Sequence, residues 1–487
     1  MKKQYLVNLL FILFINLLIK PFWLLGIDRT VQNIVGPVDY GLYFSLLNFT
    51  FIFSIVLDFG ITNYNNKSIA EDPTRLQKWL PSLGITKALL SLLFFILVIS
   101  TGFLIGYSFD QVELLIPIAI NQLILSFLLY LRSNVSGLQL FKTDAFLSVL
   151  EKLILIIILT PILWGTVLAE PITIKQFVYF QMMALSFTTF VALAILLYKH
   201  NNFKWNWTFS LFLDTLKQTY PYALLTLLMA IHGKLDSVMV ERLHIEGAYE
   251  AGVYASTARI LEACTMFAFL FSTILLPLFS SMLAKKQSVE NLVFLNFKLL
   301  VVPATILTVA LMFFSKQSMY LLYTAATPYW GGVFIWIIAG FIFSAFSYII
   351  GTLLTANGSL RHLNFIALGA IVVNISLNLI LIPQYGAKGA AIATFFTLFF
   401  TTAIQFIICI NLFQLSIKLN WYLRVLGFVL GLLAINYFIR FYFGTWPIDF
   451  FVSIAISILL AIALKLFPIK DFKFLLLTIQ DKKESTK

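Results

Sequence analysis

HLNFIALGAIVVNISLNLILIPQYGAKGAAIATFFTLFFTTAIQFIICIN, residues His362 to Asn411, holds two apolar runs, 362–383 and 387–411, and a single charged side chain, Lys388. Each run is long enough to cross the roughly 30 Å hydrocarbon core of a bilayer as a helix. Pro383 is placed to end the first helix and Gly386 to permit the turn, while Gly389, Ala390, Ala391 and Ala393 give the next helix a small face for close packing. The pattern is a tight hairpin between two membrane spans. Outward from it the same pattern recurs, giving 14 predicted spans: 5–27, 40–63, 83–106, 111–132, 145–168, 175–198, 219–241, 251–280, 293–315, 330–356, 362–383, 387–411, 421–443 and 446–467. Of the 487 residues 61% are apolar and 11% charged, with a mean hydropathy of +0.95. A soluble domain has roughly 45–50% apolar and about 25% charged residues. The chain reads as an all-α integral membrane protein.

The net charge of +12 does not mark a nucleic-acid binder, because the 33 Lys and Arg residues lie between apolar runs instead of clustering on a folded unit. With the N-terminus on the cytoplasmic side, 24 of them fall in cytoplasmic connections and ends, among them Lys87, Arg132 and Lys152, and 6 on the opposite side. That asymmetry predicts cytoplasmic N- and C-termini. The opening MKKQYLVNLLFILFINLLIK lacks a small-x-small cleavage site and reads as an uncleaved first span. The widest connections, about 64–82 and 199–218, are too short for a separate domain, though the second suits a short amphipathic surface helix. Cys264 and Cys409 lie inside apolar segments and read as packing residues; the four histidines are too scattered for a metal site. No metal or other cofactor is expected.

Burying an ionisable side chain in a span costs at least about 2.5–3.5 kcal/mol on insertion scales, so each needs a partner, a wet cavity or a function. The pattern puts Lys20, Asp58, Lys234, Asp236, Arg259 and Glu262 inside spans, with Asn16 sharing the helical face of Lys20 and His232 within the seventh span. At about 1.5 Å per residue, Lys20 lies roughly 22 Å in from the cytoplasm and Arg259 about 12 Å down from the outer surface. Lys234, Lys20 and Arg259 thus share the outer half of the membrane. One reading makes them structural glue, Lys234 with Glu262 and Asp236 with Arg259, while Lys20 snorkels outward. The other makes Lys20, Lys234 and Arg259 the lining of a cationic cavity for an anionic headgroup, with Asp58, Asp236 and Glu262 as gating or ion-pair partners and Asn16 and His232 as polar lining. The two readings overlap if the pairs form in one state and break in another.

The second and eighth spans open alike, VDYGLYFS (Val38 to Ser45) against YEAGVYAS (Tyr249 to Ser256), each after a helix bearing Lys20 or Lys234. The similarity predicts parallel repeats, helices 1–6 and 7–12, with a central site at their interface and an appended helix pair. These residues, with LDFGITNYNNKSIAED (Leu57 to Asp72), KLDSVMV (Lys234 to Val240), AGVYASTARILEA (Ala251 to Ala263), LLTANGSLRHLN (Leu353 to Asn364) and NISLNLILIPQYGAKGAAIAT (Asn374 to Thr394), resemble the polysaccharide and O-antigen flippases of the multidrug/oligosaccharidyl-lipid/polysaccharide (MOP) superfamily. The resemblance implies an N-terminal lobe over 1–200, a C-terminal lobe over 201–415, helices 13 and 14 over 416–470 and a polar cytoplasmic tail over 471–487. It further implies a multi-pass protein of the bacterial inner membrane that carries a polyprenyl-pyrophosphate-linked oligosaccharide to the outer leaflet by alternating access. Its partners would be that lipid-linked substrate, the bilayer and a proton or sodium ion as coupling ion, with no nucleic acid.

Three other classes compete. An ion-coupled drug exporter of the same superfamily would favour an acidic cavity, whereas the buried charge here is balanced or basic. A polysaccharide-assembly enzyme would need paired carboxylates or an Asp-x-Asp arrangement near an outer loop, and the outer acids Asp28, Asp39, Asp110, Glu113, Glu170, Glu241, Glu246, Glu250 and Asp449 form none. A scaffold would have no reason to keep charges in four spans.

Overall fold

The computed structural model describes residues 16, 18–165, 170–199, 208, 217, 227, 228, 231, 233–415, 419–442 and 444–467. The described residues are helical throughout, without strands. They divide into two compact units, Met1–Arg259 with Ile375–Ala390, and Ile260–Asn374 with Ala391–Lys487. His232, most of the expected surface helix over 199–218 and the polar tail 471–487 lie outside the described residues.

In the first unit a π-helical turn, Trp23–Asp28, leads into α1 (Arg29–Asp58), followed by α2 (Ile61–Glu71), α3 (Leu76–Leu104), α4 (Phe109–Gly137), α5 (Phe141–Trp164), α6 (Ile174–Lys199), α7 (residues 233–243) and the start of α8 (Gly247–Ala284). Helix starts follow local chemistry: Ser108 and Gln111 form a capping box at α4, each side chain bonding the other's backbone N–H. The core is aliphatic, with Ile61, Ile69, Leu76, Val135 and Leu196 fully buried among α2, α3, α4 and α6.

The second unit takes the rest of α8, then α9 (Glu290–Asn296), a π-helical turn Phe297–Val301, α10 (Val302–Phe313), α11 (Ser315–Leu322), α12 (Pro328–Ala356), most of α13 (Leu360–Phe413), α14 (Leu419–Tyr442) and α15 (Trp446–Ala463). Its packing is aromatic and close: Phe343 meets Phe395 and Phe399, Trp421 meets Phe294 and Phe297, and a side chain at Gly431 would collide with Leu460. Ser347 donates to the Gln405 amide oxygen at 2.7 Å, satisfying polar groups between helices where lipid offers no partner.

Eleven helical stretches among the described residues are long and apolar enough to cross a membrane. Two of the longest are interrupted within: Leu18–Asp58 has 41 residues and Leu360–Phe413 has 54, about 60 and 80 Å at helical rise against a core of roughly 30 Å. Each is broken at one glycine, Gly36 (φ 84°, ψ 167°) and Gly386 (φ 54°, ψ −131°). Counting each as two crossings raises eleven to thirteen, and of the expected span 219–241 eleven of 23 residues lie outside the described ones.

Two local expectations need correction. The connection expected between the first two spans is absent: residues 28–39 are helical except at Gly36, whose positive φ makes the bend while Pro37 presets the backbone for the next helical piece. Pro383 likewise does not end a helix, since the chain stays helical past it and breaks three residues later at Gly386.

Candidate functional site

In an unbroken helix Asp28 and Tyr40 would stand about 18 Å apart along the axis. The bend at Gly36 brings them together, and the Tyr40 hydroxyl donates to Asp28 Oδ2 at 2.6 Å. Arg259 on α8 closes the group, its Nε 2.9 Å from the same carboxylate oxygen and 3.3 Å from the Tyr40 hydroxyl. Its guanidinium lies 4.9 Å from the centre of the Phe44 ring, one turn beyond Tyr40. Asp28 is 1% exposed and Tyr40 0%, so the carboxylate and the hydroxyl that meet Arg259 are removed from solvent. The carboxylate sits in a π-helical turn, a departure from α geometry that recurs at functional sites.

The similar octapeptides of α1, just past Gly36, and of α8 meet in space. A Cβ placed on Gly41 would overlap the backbone of Ala248 and Gly252, and one on Gly252 would overlap the Pro37 carbonyl. Gln32 Nε2 donates to the Gly252 carbonyl at 3.0 Å, and Asn48 Nδ2 to Ser237 Oγ on α7 at 2.8 Å. Arg242, just past the expected seventh span, reaches the carbonyls of Ile105 and Gly106 and the Gln111 side chain, with the Tyr107 ring 4.2 Å from its guanidinium. These contacts hold α7 and the start of α8 against α1 and the α3–α4 turn.

Of the remaining expected site residues, Asp236 accepts from the Tyr254 hydroxyl at 2.9 Å and from Asn378 Nδ2 at 2.7 Å. Lys234 is half-buried, with its ammonium 5.4 Å from the centre of the Phe51 ring. Glu262 belongs to the second unit, where its backbone carbonyl accepts from Thr265 Oγ1. Asp58 pairs with Lys87 at 2.8 Å and also accepts from the backbone and hydroxyl of Thr62. Lys87 was counted among the cytoplasmic connections; it is instead fully buried within α3, so that pair is an internal one.

Lys20 and Asn16 form a separate group. Asn16 Nδ2 donates to Ser148 Oγ on α5 at 3.3 Å, and the Lys152 ammonium lies 4.7 Å from the centre of the Trp23 ring. Arg132 on α4 pairs with Asp144 at 2.8 Å, and Lys152 with Glu151 at 2.7 Å. Arg132 and Lys152 therefore project from helices and not from connections, with side chains 22% and 27% exposed.

Sequence reasoning missed Asp28, which beside Arg29 resembles a loop acid. The signal available was Gly36-Pro37, a one-residue break that keeps both flanks helical. Among the described residues no group of three His, Cys, Asp or Glu side chains could hold a metal ion.

The profile of the polysaccharide biosynthesis protein family matches residues 6–283, more than half of the chain and all of the elements that build the first unit up to Arg259. The chain belongs to that family. The chain is 28% identical over 190 residues to an uncharacterized membrane protein of Methanocaldococcus jannaschii; the match takes in 38% of the chain and spans 43% of that relative's length. In fold it is similar to a lipid II flippase, MurJ, in an inward closed conformation, with a TM-score of 0.71 and 17% identity over 94% of this chain and 98% of that one. It is also similar to an inward-facing multidrug resistance MATE family transporter of the MOP superfamily, with a TM-score of 0.61 and 14% identity over 82% and 96% of the two chains. At 17% and 14% identity these likenesses show the fold, which the chain shares with a flippase and a transporter structure.

Proposed function

We propose that the protein flips a polyprenyl-pyrophosphate-linked oligosaccharide, an O-antigen, capsule or exopolysaccharide repeat unit, from the inner to the outer leaflet of a bacterial inner membrane. The reading takes both termini as cytoplasmic, the repeats 1–200 and 201–415 as the moving lobes, and transport without covalent chemistry as the activity. The observation that carries it is Arg259, a cation in a span held by the buried carboxylate of Asp28. A phosphate oxygen can take the place of a carboxylate oxygen on a guanidinium, since both accept the same charge-assisted hydrogen bonds. Substrate binding at Arg259 would then release Asp28 and Tyr40 and loosen the contact between α8 and the first-span helix, which couples binding to a change of state. Lys20 and Lys234 are the further cations proposed for the substrate, with Asp58, Asp236 and Glu262 as their ion-pair or gating partners and Asn16 and His232 as polar lining.

The test is reconstitution of the purified protein into liposomes carrying a fluorescent polyprenyl-pyrophosphate oligosaccharide in both leaflets, read by a membrane-impermeant quencher. The fraction protected in the inner leaflet should disappear with the protein present. A protected fraction equal to that of protein-free liposomes would overturn the proposal, and transport of a cationic dye in its place would move the protein to the drug-exporter class.

A further inference from the structure

In the sequence Asp449 stands among the outer acids of short connections, yet it is 3% exposed, in the first turn of α15. Asp449, Ser453, Ser457 and Ala461 follow one another at steps of four and share one face of that helix, all of them buried. Within the second unit α10, α14 and α15 pack against one another, and Thr308 of α10 and Asn436 of α14 are fully buried. With both termini taken as cytoplasmic, the Phe314 and Phe450 rings, 5.9 Å apart, mark the outer end of this group. Thr308 lies about 9 Å below Phe314 and Ser457 about 10 Å below Phe450. Asn436 stands six residues before the end of α14 and Ser453 seven after the start of α15, and the Asn436 amide points inward along its helix, donating to the Leu432 carbonyl at 2.9 Å. The three helices therefore bring Thr308, Asn436, Ser453 and Ser457 to similar depths, below Asp449.

Three oxygens of this group are buried without a hydrogen-bond partner: Asp449 Oδ1, Asn436 Oδ1 and Thr308 Oγ1. Among the described residues no cation pairs with Asp449. It is the single ionisable side chain of α15, and α10 carries none. Lys316 and Tyr320 of the adjoining α11, and Tyr422, Arg424, Tyr437 and Arg440 of α14, are exposed. The place of Asp449 in a first turn lets the helix dipole offset part of the cost of burying a carboxylate, and it leaves Oδ1 unpaired. An unpaired acceptor in such a core is met by a donor, from water or from a bound proton. A metal cation shared by these oxygens would need them within one coordination shell, whereas Asp449 stands about 12 Å above Ser457 along α15. A proton handed from one water molecule to the next has no such requirement.

We propose that Asp449 is the outer port of a proton path in the second unit, which Ser453, Asn436, Thr308 and Ser457 continue through ordered water towards the middle of the bilayer. The proton passes from water on the outer side to a carboxylate oxygen of Asp449, forming its O–H bond, and leaves it for water held by the hydroxyls and the amide oxygen below, which restores the carboxylate. The inference rests on the flippase reading for what the proton drives. It gives the appended helix pair, which lies outside the proposed repeats 1–200 and 201–415, a part in that drive.

The test is labelling of the full-length protein in liposomes with dicyclohexylcarbodiimide, which adds to protonated carboxyl groups in apolar surroundings, read by mass spectrometry of the peptide that holds Asp449. Label should appear at Asp449, fall as the outer pH is raised and be indifferent to sodium ion. No label there, label independent of pH, or label suppressed by sodium at constant pH would each overturn the port. The second arm is the flipping assay with the outer face of the protein exposed to acid, which should accelerate the wild type. Asp449→Asn, and Thr308→Val with Asn436→Leu, should each lose that acceleration, while the latter keeps the pH-dependent label. Acceleration retained in either variant, or a wild type that flips without it, would overturn the path. Where a variant fails to fold, the labelling of the wild type remains decisive. Wild-type protein that is labelled as expected but never flips refutes the transport reading and leaves the port standing; protein that flips with Asp449 unlabelled refutes the port alone.

Discussion

Arg259 keeps its charge inside the membrane through one carboxylate, one hydroxyl and one aromatic face. Removing either member of its pair with Asp28 strands a buried charge, at a cost of roughly 3–5 kcal/mol. Asp28→Ala and Arg259→Ala should therefore both lower the unfolding temperature and the amount of membrane-inserted protein. The double variant Asp28→Asn, Arg259→Gln leaves a neutral hydrogen-bonded pair and should recover most of that stability. If Arg259 also meets the substrate, recovered protein should still fail to flip; restored flipping in the double variant would confine the pair to a structural role. Arg259 was legible in the sequence because any cation within an apolar run is conspicuous. Asp28 was not, because an acid beside Arg29 between two apolar runs reads as a loop until the bend is known to be one residue wide. Lys87 was misplaced for a related reason: it sits near the start of the apolar run 83–106, where a buried lysine looks the same as one that ends a connection, whereas the helix begins three turns earlier at Leu76.

At the scale of the helix, the two breaks are unlike each other. Gly36 has open space where a side chain would go, so its requirement for glycine comes from its φ of 84°. Gly386 has both constraints: φ is 54°, and a Cβ there would overlap the Glu250 carboxylate, which accepts the Ala387 N–H at 2.7 Å. That carboxylate satisfies the amide freed by the break and lies at the positive end of the helical piece that follows. Gly386→Ala should thus destabilise by more than the ~1–3 kcal/mol of backbone strain alone, and by more than Gly36→Ala, measured as unfolding midpoints of the two variants. A smaller loss at Gly386 would show that Glu250 can move aside at little cost. The break at Gly386 was legible from its Gly, though not from Pro383, and what the sequence could not show is that an acid 137 residues before Ala387 completes it. The two octapeptides share Gly-x-Tyr, and that similarity gave no sign that Gly41 and Gly252 would touch.

For the molecule as a whole, the distribution of basic residues predicts that a reporter fused after Asn201 or after Lys487 reads as cytoplasmic. An external signal at either place would overturn the 14-span orientation. The Asp58–Lys87 pair has a bearing on how the chain enters the bilayer at all. Alone, Lys87 would cost about 2.5–3.5 kcal/mol to place in hydrocarbon, yet its carboxylate partner is synthesised 29 residues earlier, at the end of α1. The cost is offset only if α1 is still beside the insertion machinery when α3 emerges, so that the two helices partition into lipid as one hairpin. Asp58→Asn should then act during biogenesis: a glycosylation-mapped translation in microsomes should show α3 skipped or inverted in a fraction of chains, and Asp58→Asn with Lys87→Gln should restore it. Normal insertion of the single variant would show that Lys87 finds its neutralising partner only after the nascent chain has left the translocon.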